Sequence, residues 1–211
     1  MKLRCLLIGD GSLLVECGTL LLARGHHIEV VATTNDSIID WAQEIGAELV
    51  PPGRSSIDCL AGRTFDWIFS IANLSLIPAA VWQSATQGAI NFHDSLLPRY
   101  AGLNAPAWAL LAGETQHGVT WHAITDRIDE GDIYVQSTFD IDEDETALTL
   151  NAKCFEAGIA SFVELIEQIQ AGSTQRRAQT LDDRTYCARH DRPDAAATLD
   201  FTRTTAEVDR T

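Results

Sequence analysis

Residues 2–32 read KLRCLLIGDGSLLVECGTLLLARGHHIEVVA, and this stretch decides the fold class. Lys2 to Ile8 reads as a short buried strand. Gly9, Asp10 and Gly11 break it with a turn. Ser12 is placed to cap a helix that runs to about Arg24 and stops at Gly25. Ile28 to Ala32 is a β-branched run and predicts a second strand. The alternation continues outward. Asp36 is placed to cap a helix through Ile45, with Gly46 just beyond it. Phe65 to Ile71 and Ala89 to His93 read as strands, and Ala105 to Ala112 as a helix. Gly118 to Ile124 and Ile133 to Phe139 read as two more strands, with no helix between them. Alternation as far as Ala112 implies a mostly parallel sheet with helices on both faces, and the later strands imply a mixed edge. The expected class is therefore α/β, Rossmann-like. Ligands of such open sheets bind beyond the carboxyl ends of the strands. Gly9 and Gly11 imitate the start of a dinucleotide fingerprint, but residue 14 is Leu where the third glycine belongs. A tight strand-to-helix turn is the preferred reading.

Thr146 to Gln170 carries the longest helix signal. Leu148, Ala152, Phe155, Ile159, Phe162, Ile166 and Ile169 alternate steps of four and three, which makes one apolar stripe. The acidic run Asp140 to Glu145 before it is read as serving the positive helix N-terminus, in preference to a metal site. From Gly172 the chain turns polar. Two regions are expected: residues 1–171 with the sheet and the site, and a loop-rich extension over 172–211. Thr204 to Thr211 resembles the opening turns of a helix, as if the chain were cut before a further helix or domain.

Of the 211 residues, 45% are apolar and 21% charged, an ordinary globular balance. Nothing approaches a membrane span, and Leu6 to Ile8 is too short for a signal-peptide core, so a cytoplasmic protein is expected. A net charge of −15 gives no electrostatic footprint for nucleic acid and repels anionic membranes. Arg176 and Arg177 remain as a local basic pair, and a neutral or cationic acceptor is favoured. Cys5, Cys17, Cys59, Cys154 and Cys187 form no C-x-x-C pair and read as reduced structural thiols, with no role assigned to Cys187 in its polar tail.

Asn91 and His93 lie two apart at the end of a predicted strand, so both point to the face where a ligand crevice opens. Asp129 lies in the loop TDRIDEGD (125–132), after the strand that holds His122. If the two strands share one sheet, the loops meet over one crevice. Asn donates hydrogen bonds without changing charge, His holds or gives a proton near neutral pH, and Asp orients the His or takes a proton through water. No Ser or Cys with a base partner accompanies them, which disfavours an acyl-enzyme. The set suits direct attack by an amine on an acyl carbon, with Asn91 and His93 facing the oxyanion. Removing such a donor costs roughly 10²–10³ in rate. On spacing alone, an isolated Asn, His and Asp is more often structural. His26 and His27 lack a third ligand and read as a solvated loop. His122, Trp108 and Trp121 read as core in preference to walls of the site. No metal site is expected.

The stretch INFHDSLLPRYAGLNAPAWALLAGETQHGVTWHAITDRIDEGDI (90–133) resembles the signature region of the 10-formyltetrahydrofolate-dependent formyltransferases. That family includes the glycinamide ribonucleotide, methionyl-tRNA and sugar-nucleotide enzymes. Asn91, His93, Ser95 to Pro98, Gly102, Gly118 to Thr120, Asp129 and Gly131 fill its pattern in order. A weaker likeness covers roughly residues 1–203, including TYCARHDRPDAAATLDF (185–201). The resemblance implies a formyltransferase catalytic domain, with Asn91, His93 and Asp129 catalytic and 10-formyltetrahydrofolate as the formyl donor. It implies a pterin pocket lined by Ser75, Leu76 and Ile77 and by Asp126, Arg127 and Ile128, with Leu76, Ile77 and Leu97 against the ring. The wording NFHDSLLPRYAGLNAPAWALL and HGVTWH further resembles the formylation domains that begin nonribosomal peptide synthetases. That likeness implies an aminoacyl group tethered to a carrier protein as acceptor. An amino-sugar nucleotide is the alternative, followed by methionyl-tRNA. A folate-binding domain without turnover and a formyl-folate hydrolase stand as further classes.

Overall fold

The structure, a computed structural model, describes residues 2–193 together with residues 198, 201, 202, 204, 205 and 208. Much of the AAATLDF stretch and of the helix expected over 204–211 lies outside the described residues. The strands are β1 (Arg4–Ile8), β2 (His27–Ala32), β3 (Glu48–Val50), β4 (Phe65–Ser70), β5 (Ala85–His93), β6 (Ala101–Gly102), β7 (Gln116–Ala123), β8 (Ile133–Asp140) and β9 (Tyr186–Cys187). The helices are α1 (Ser12–Ala23), α2 (Asp36–Glu44), α3 (Ser56–Leu60), α4 (Ala79–Trp82), α5 (Ala105–Leu111) and α6 (Ala147–Ala171). One sheet runs in the order β3-β2-β1-β4-β5-β7-β8. Its first five strands are parallel, and β7 and β8 extend it antiparallel, the mixed edge expected from strands without crossover helices. β6 and β9 form a separate parallel pair.

The strand period of two divides the side chains between two apolar layers. Leu7, Phe69, Ile90, Phe92 and Trp121 pack with α1, α2 and α6, while Leu6, Ile8, Ile68 and Ala89 pack with Leu60 of α3 and Val81 of α4. Full burial of each such side chain contributes about 1.5–3 kcal/mol, so a one-residue slip that reversed the faces would be ruinous. The turn after β1 is tight enough to need glycine: a Cβ on Gly9 would lie 1.8 Å from the Ile71 carbonyl oxygen. No helix among the described residues is long and apolar enough to cross a membrane.

Several local expectations change. Gly11, not Ser12, occupies the N-cap of α1, and no side chain bonds the helix start there. Asn35 caps α2, its Oδ1 accepting from the Ser37 N–H at 3.0 Å, because Asp36 is already inside the helix. Leu148, assigned to the buried stripe of α6, is 78% exposed. Phe162, Ile166 and Ile169 of that stripe are buried as expected, and Leu150, Cys154, Gly158 and Leu165 join them on the interior face. Thr146 caps α6 through a reciprocal capping box with Thr149. The acids before it serve Lys153, whose ammonium binds Asp142 at 2.6 Å and also Glu145. His26 is buried rather than solvated, its Nδ1 accepting from the Leu3 N–H at 3.4 Å. The five cysteines are free, and Cys187 is buried within β9.

Candidate active site

β5 ends at His93, and its register against β7 sets Asn91 opposite His122 and His93 opposite Thr120. These four share one face at the carboxyl end of β5. Phe92 and Trp121, between them, turn to the other face and meet at a ring distance of 5.1 Å. Trp121 is fully buried and donates its indole N–H to Ser161 Oγ, so it is core and not a wall of the site.

Two carbonyls assign the histidine tautomers. His93 Nε2 lies 2.8 Å from the Tyr100 oxygen, and His122 Nδ1 lies 3.0 Å from the Ala123 oxygen. A carbonyl only accepts, so each of those nitrogens carries hydrogen. His93 therefore turns Nδ1 toward Asp129 Oδ2, at 3.7 Å, and toward Asp94 Oδ1, at 3.9 Å. In neutral His122, Nε2 accepts from the Asn91 amide at 3.1 Å. In charged His122 the same nitrogen donates to Asp129 Oδ1, 3.4 Å away. It cannot do both at once, so Asn91 and Asp129 compete for one ring atom.

Asp129 closes the set. Burial alone would push its carboxyl up. The His122 ring, the nearby His93 charge and the Gly102 N–H at 2.8 Å outweigh that and bring it down to about 2. It is an anion at neutral pH. Its backbone is left-handed, with φ of 56°, and Tyr100, whose carbonyl holds His93, has φ of 55°. Both conformations need support from their surroundings.

The loops implied for a pterin ring leave neighbouring points. Ile77 and Ile124 pack on the cluster that contains Val81 and Ala89. The Asn73 side chain ties its own loop, donating to Ser75 O at 2.8 Å and accepting from the Ser75 N–H at 3.0 Å. Leu74 and Leu76 project beyond it, 84% and 77% exposed, and Ile128 is exposed on the second loop. In that loop Arg127 pairs with Glu130 at 3.2 Å, and Thr125 makes a short turn over Asp126 by bonding to Arg127. Leu97 is not brought to this surface. It is 3% exposed, with its N–H on Thr120 Oγ1 and its carbonyl on Gln136 Nε2.

The sequence reading missed the segment that returns after α6. Gln179 Nε2 donates to the carbonyls of Asp129 and Gly131 at 2.8 and 2.7 Å. Arg184 donates to Ile128 O at 3.1 Å and pairs with Glu130. Thr185 Oγ1 accepts from the Tyr100 N–H at 2.7 Å, and Thr185 O accepts from the Ala101 N–H at 3.0 Å. Cys187 O accepts from the Leu103 N–H at 2.9 Å. A polar composition gives no hydropathy signal for such a strap. Among the described residues, no group of three or more His, Cys, Asp or Glu side chains is arranged to hold a metal ion.

The family description "Formyl transferase" fits residues 57–166, more than half of the 211-residue chain. The chain belongs to the formyl transferase family. Among members of this family it is 31% identical, over 172 residues, to the methionyl-tRNA formyltransferase of Desulfotalea psychrophila, covering 80% of this chain and 53% of that protein. It thus spans about half the length of this curated relative. The fold matches solved structures over its whole length. WlaRD, a sugar 3N-formyl transferase with dTDP and 5-N-formyl-THF, gives a TM-score of 0.81 at 22% identity, with 100% of this chain and 78% of that one covered. The N-formyltransferase from Helicobacter canadensis, with folinic acid and dTDP-3-aminofucose, gives 0.82 at 20% identity, with 100% and 79% covered.

Proposed function

We propose that the chain transfers a formyl group from 10-formyltetrahydrofolate to a primary amine, with Asn91, His93 and Asp129 as its catalytic residues. The observation that carries this reading is the largely enclosed Asp129 carboxylate set between His93 and His122 beside the Asn91 amide. A neutral amine attacks the formyl carbon and a C–N bond forms. The carbonyl electron pair moves to oxygen, where the Asn91 N–H faces the charge beside the His93 ring. Collapse breaks the bond to N10, which leaves with a proton. The proton lost by the amine passes through water to the His93–Asp129 pair, which returns one to N10 as its bond to carbon breaks. The exposed Leu74, Leu76 and Ile128 supply apolar surface for a flat ring, and the backbone of 75–77 and 126–128 supplies polar edges.

For the acceptor we propose an amino acid tethered to a carrier protein, which rests on the wording of residues 91–111 and 117–122. A second reading, an amino-sugar nucleotide, is favoured by the sugar formyltransferases among the structural neighbours. A net charge of −15 argues against a polyanion such as tRNA, although the methionyl-tRNA relative keeps it in the comparison. The test offers 10-formyltetrahydrofolate with carrier-bound amino acids, amino-sugar nucleotides and charged tRNA, and follows tetrahydrofolate release and the formyl mass increment. A formylated carrier adduct supports the first acceptor. A formylated sugar replaces it with the second. Release without any amine marks a hydrolase, and no release with any partner sinks the enzyme reading.

A further inference from the structure

We propose that Gln179 is a positioning residue, the amide that sets the backbone of Asp129 and through it the carboxylate between His93 and His122. The inference rests on the formyl-transfer reading above. Gln179 is 50 residues from Asp129 in sequence, yet its Nε2 donates to the Asp129 carbonyl at 2.8 Å and to the Gly131 carbonyl at 2.7 Å. Both partners only accept, so the NH2 group must face them, since a reversed amide would set oxygen against two oxygens. One planar NH2 shared by two carbonyls fixes their separation and direction across the turn.

That turn needs fixing. Asp129 holds a φ of 56°, a conformation that residues with side chains keep only where their surroundings impose it. Gly131 lies so flat on β7 that a Cβ there would meet the Ala123 oxygen at 1.8 Å. Arg184 holds the preceding carbonyl, Ile128 O, at 3.1 Å. With these carbonyls held by the strap, the Asp129 carboxylate lies 3.7 Å from His93 Nδ1 and 3.4 Å from His122 Nε2. A small rotation at residue 129 would carry the carboxylate out of reach of both rings.

The test uses the full chain with Gln179→Glu and Gln179→Met. Glu keeps the shape but sets a carboxylate against two carbonyls, and Met removes the donors without charge. Both variants are expected to unfold cooperatively near the wild-type temperature. Their kcat for formyl transfer should fall roughly 10- to 100-fold, the scale of an ångström's misplacement, with little change in KM for the folate donor. In the Glu variant, the ratio of its activity to wild type should rise as pH falls toward the carboxylate range, because a protonated Glu regains one donor. In the Met variant the ratio should stay flat. The imidazole nitrogen NMR signals of His93 and His122 should shift in both. Wild-type kcat with unmoved imidazole signals overturns the proposal, as does a loss of kcat with unmoved signals and a flat ratio in both variants. If the Glu variant does not fold, kcat and the imidazole signals of the Met variant decide. If the wild type formylates no amine, the functional reading fails separately, and the imidazole signals still decide the role of Gln179.

Discussion

At the level of single residues, Asp129 contributes to how the protein responds to acid. Its carboxyl titrates at about 2 in the folded chain, against an ordinary value of 3.8. The ionised form is therefore worth on the order of 2 kcal/mol of stability. The sign follows from the depression: that stability is complete above the ordinary value and is lost as pH falls through the folded one. Denaturant titrations of wild type and Asp129→Asn should differ fully above about pH 4 and converge as pH falls to about 2. Asn91→Ala and His93→Ala are each expected to lower kcat by roughly 10²–10³, with thermal midpoints little moved. A His93→Ala chain with near-wild-type turnover would remove the proposed trio. Asn91 and His93 were legible as a pair because the strand period is two. The tie from Asn91 to His122 was not, since it depends on cross-strand register, which the sequence does not print. The cap at Asn35 was missed for a smaller reason: Asp36 is an equally good capping type, and only the backbone decides which residue stands outside the helix.

Elements differ in how plainly they declare themselves. The long period in α6 announced a helix, and its interior face came out shifted at one end, with Leu148 in solvent. β3 and α3 are too short, at 3 and 5 residues, to show any period. β9 has 2 residues and exists through its partner β6. The junction of α6 with β5 yields an element-scale prediction. A Cβ on Gly158 would meet Phe92 Cε2 at 2.8 Å and Leu13 Cδ2 at 3.2 Å. Alanine gains about 1 kcal/mol of helix propensity, but forcing a methyl into a packed core costs about 1–3 kcal/mol. Overpacking should win, so Gly158→Ala is expected to lower the unfolding midpoint. It should also lower kcat, because Phe92 stands between Asn91 and His93 on the strand. Calorimetry and steady-state kinetics check the two effects.

For the whole molecule, the acidic surface is the property most open to measurement. At −15, the chain repels other acidic macromolecules at distances within the screening length. kcat/KM for an acidic carrier protein is expected to rise with added salt up to physiological strength, while that for a small neutral amine stays level. The mostly parallel sheet and its mixed edge could be read because strands and helices alternate by period; the strand order could not. The strap could not, because it works through main-chain carbonyls and one side-chain amide, and any polar sequence can supply those. Its place late in the chain has a consequence for synthesis. The ribosome delivers the histidine of β5 and the carboxylate of the loop after β7 long before it delivers Gln179 and Thr185. A nascent chain stalled near residue 171 would thus hold the whole proposed trio in its polymer and none of the strap contacts proposed to fix its aim. The aim of the proposed trio would be fixed only once residues 179 to 187 have emerged, well after the strands of the main sheet.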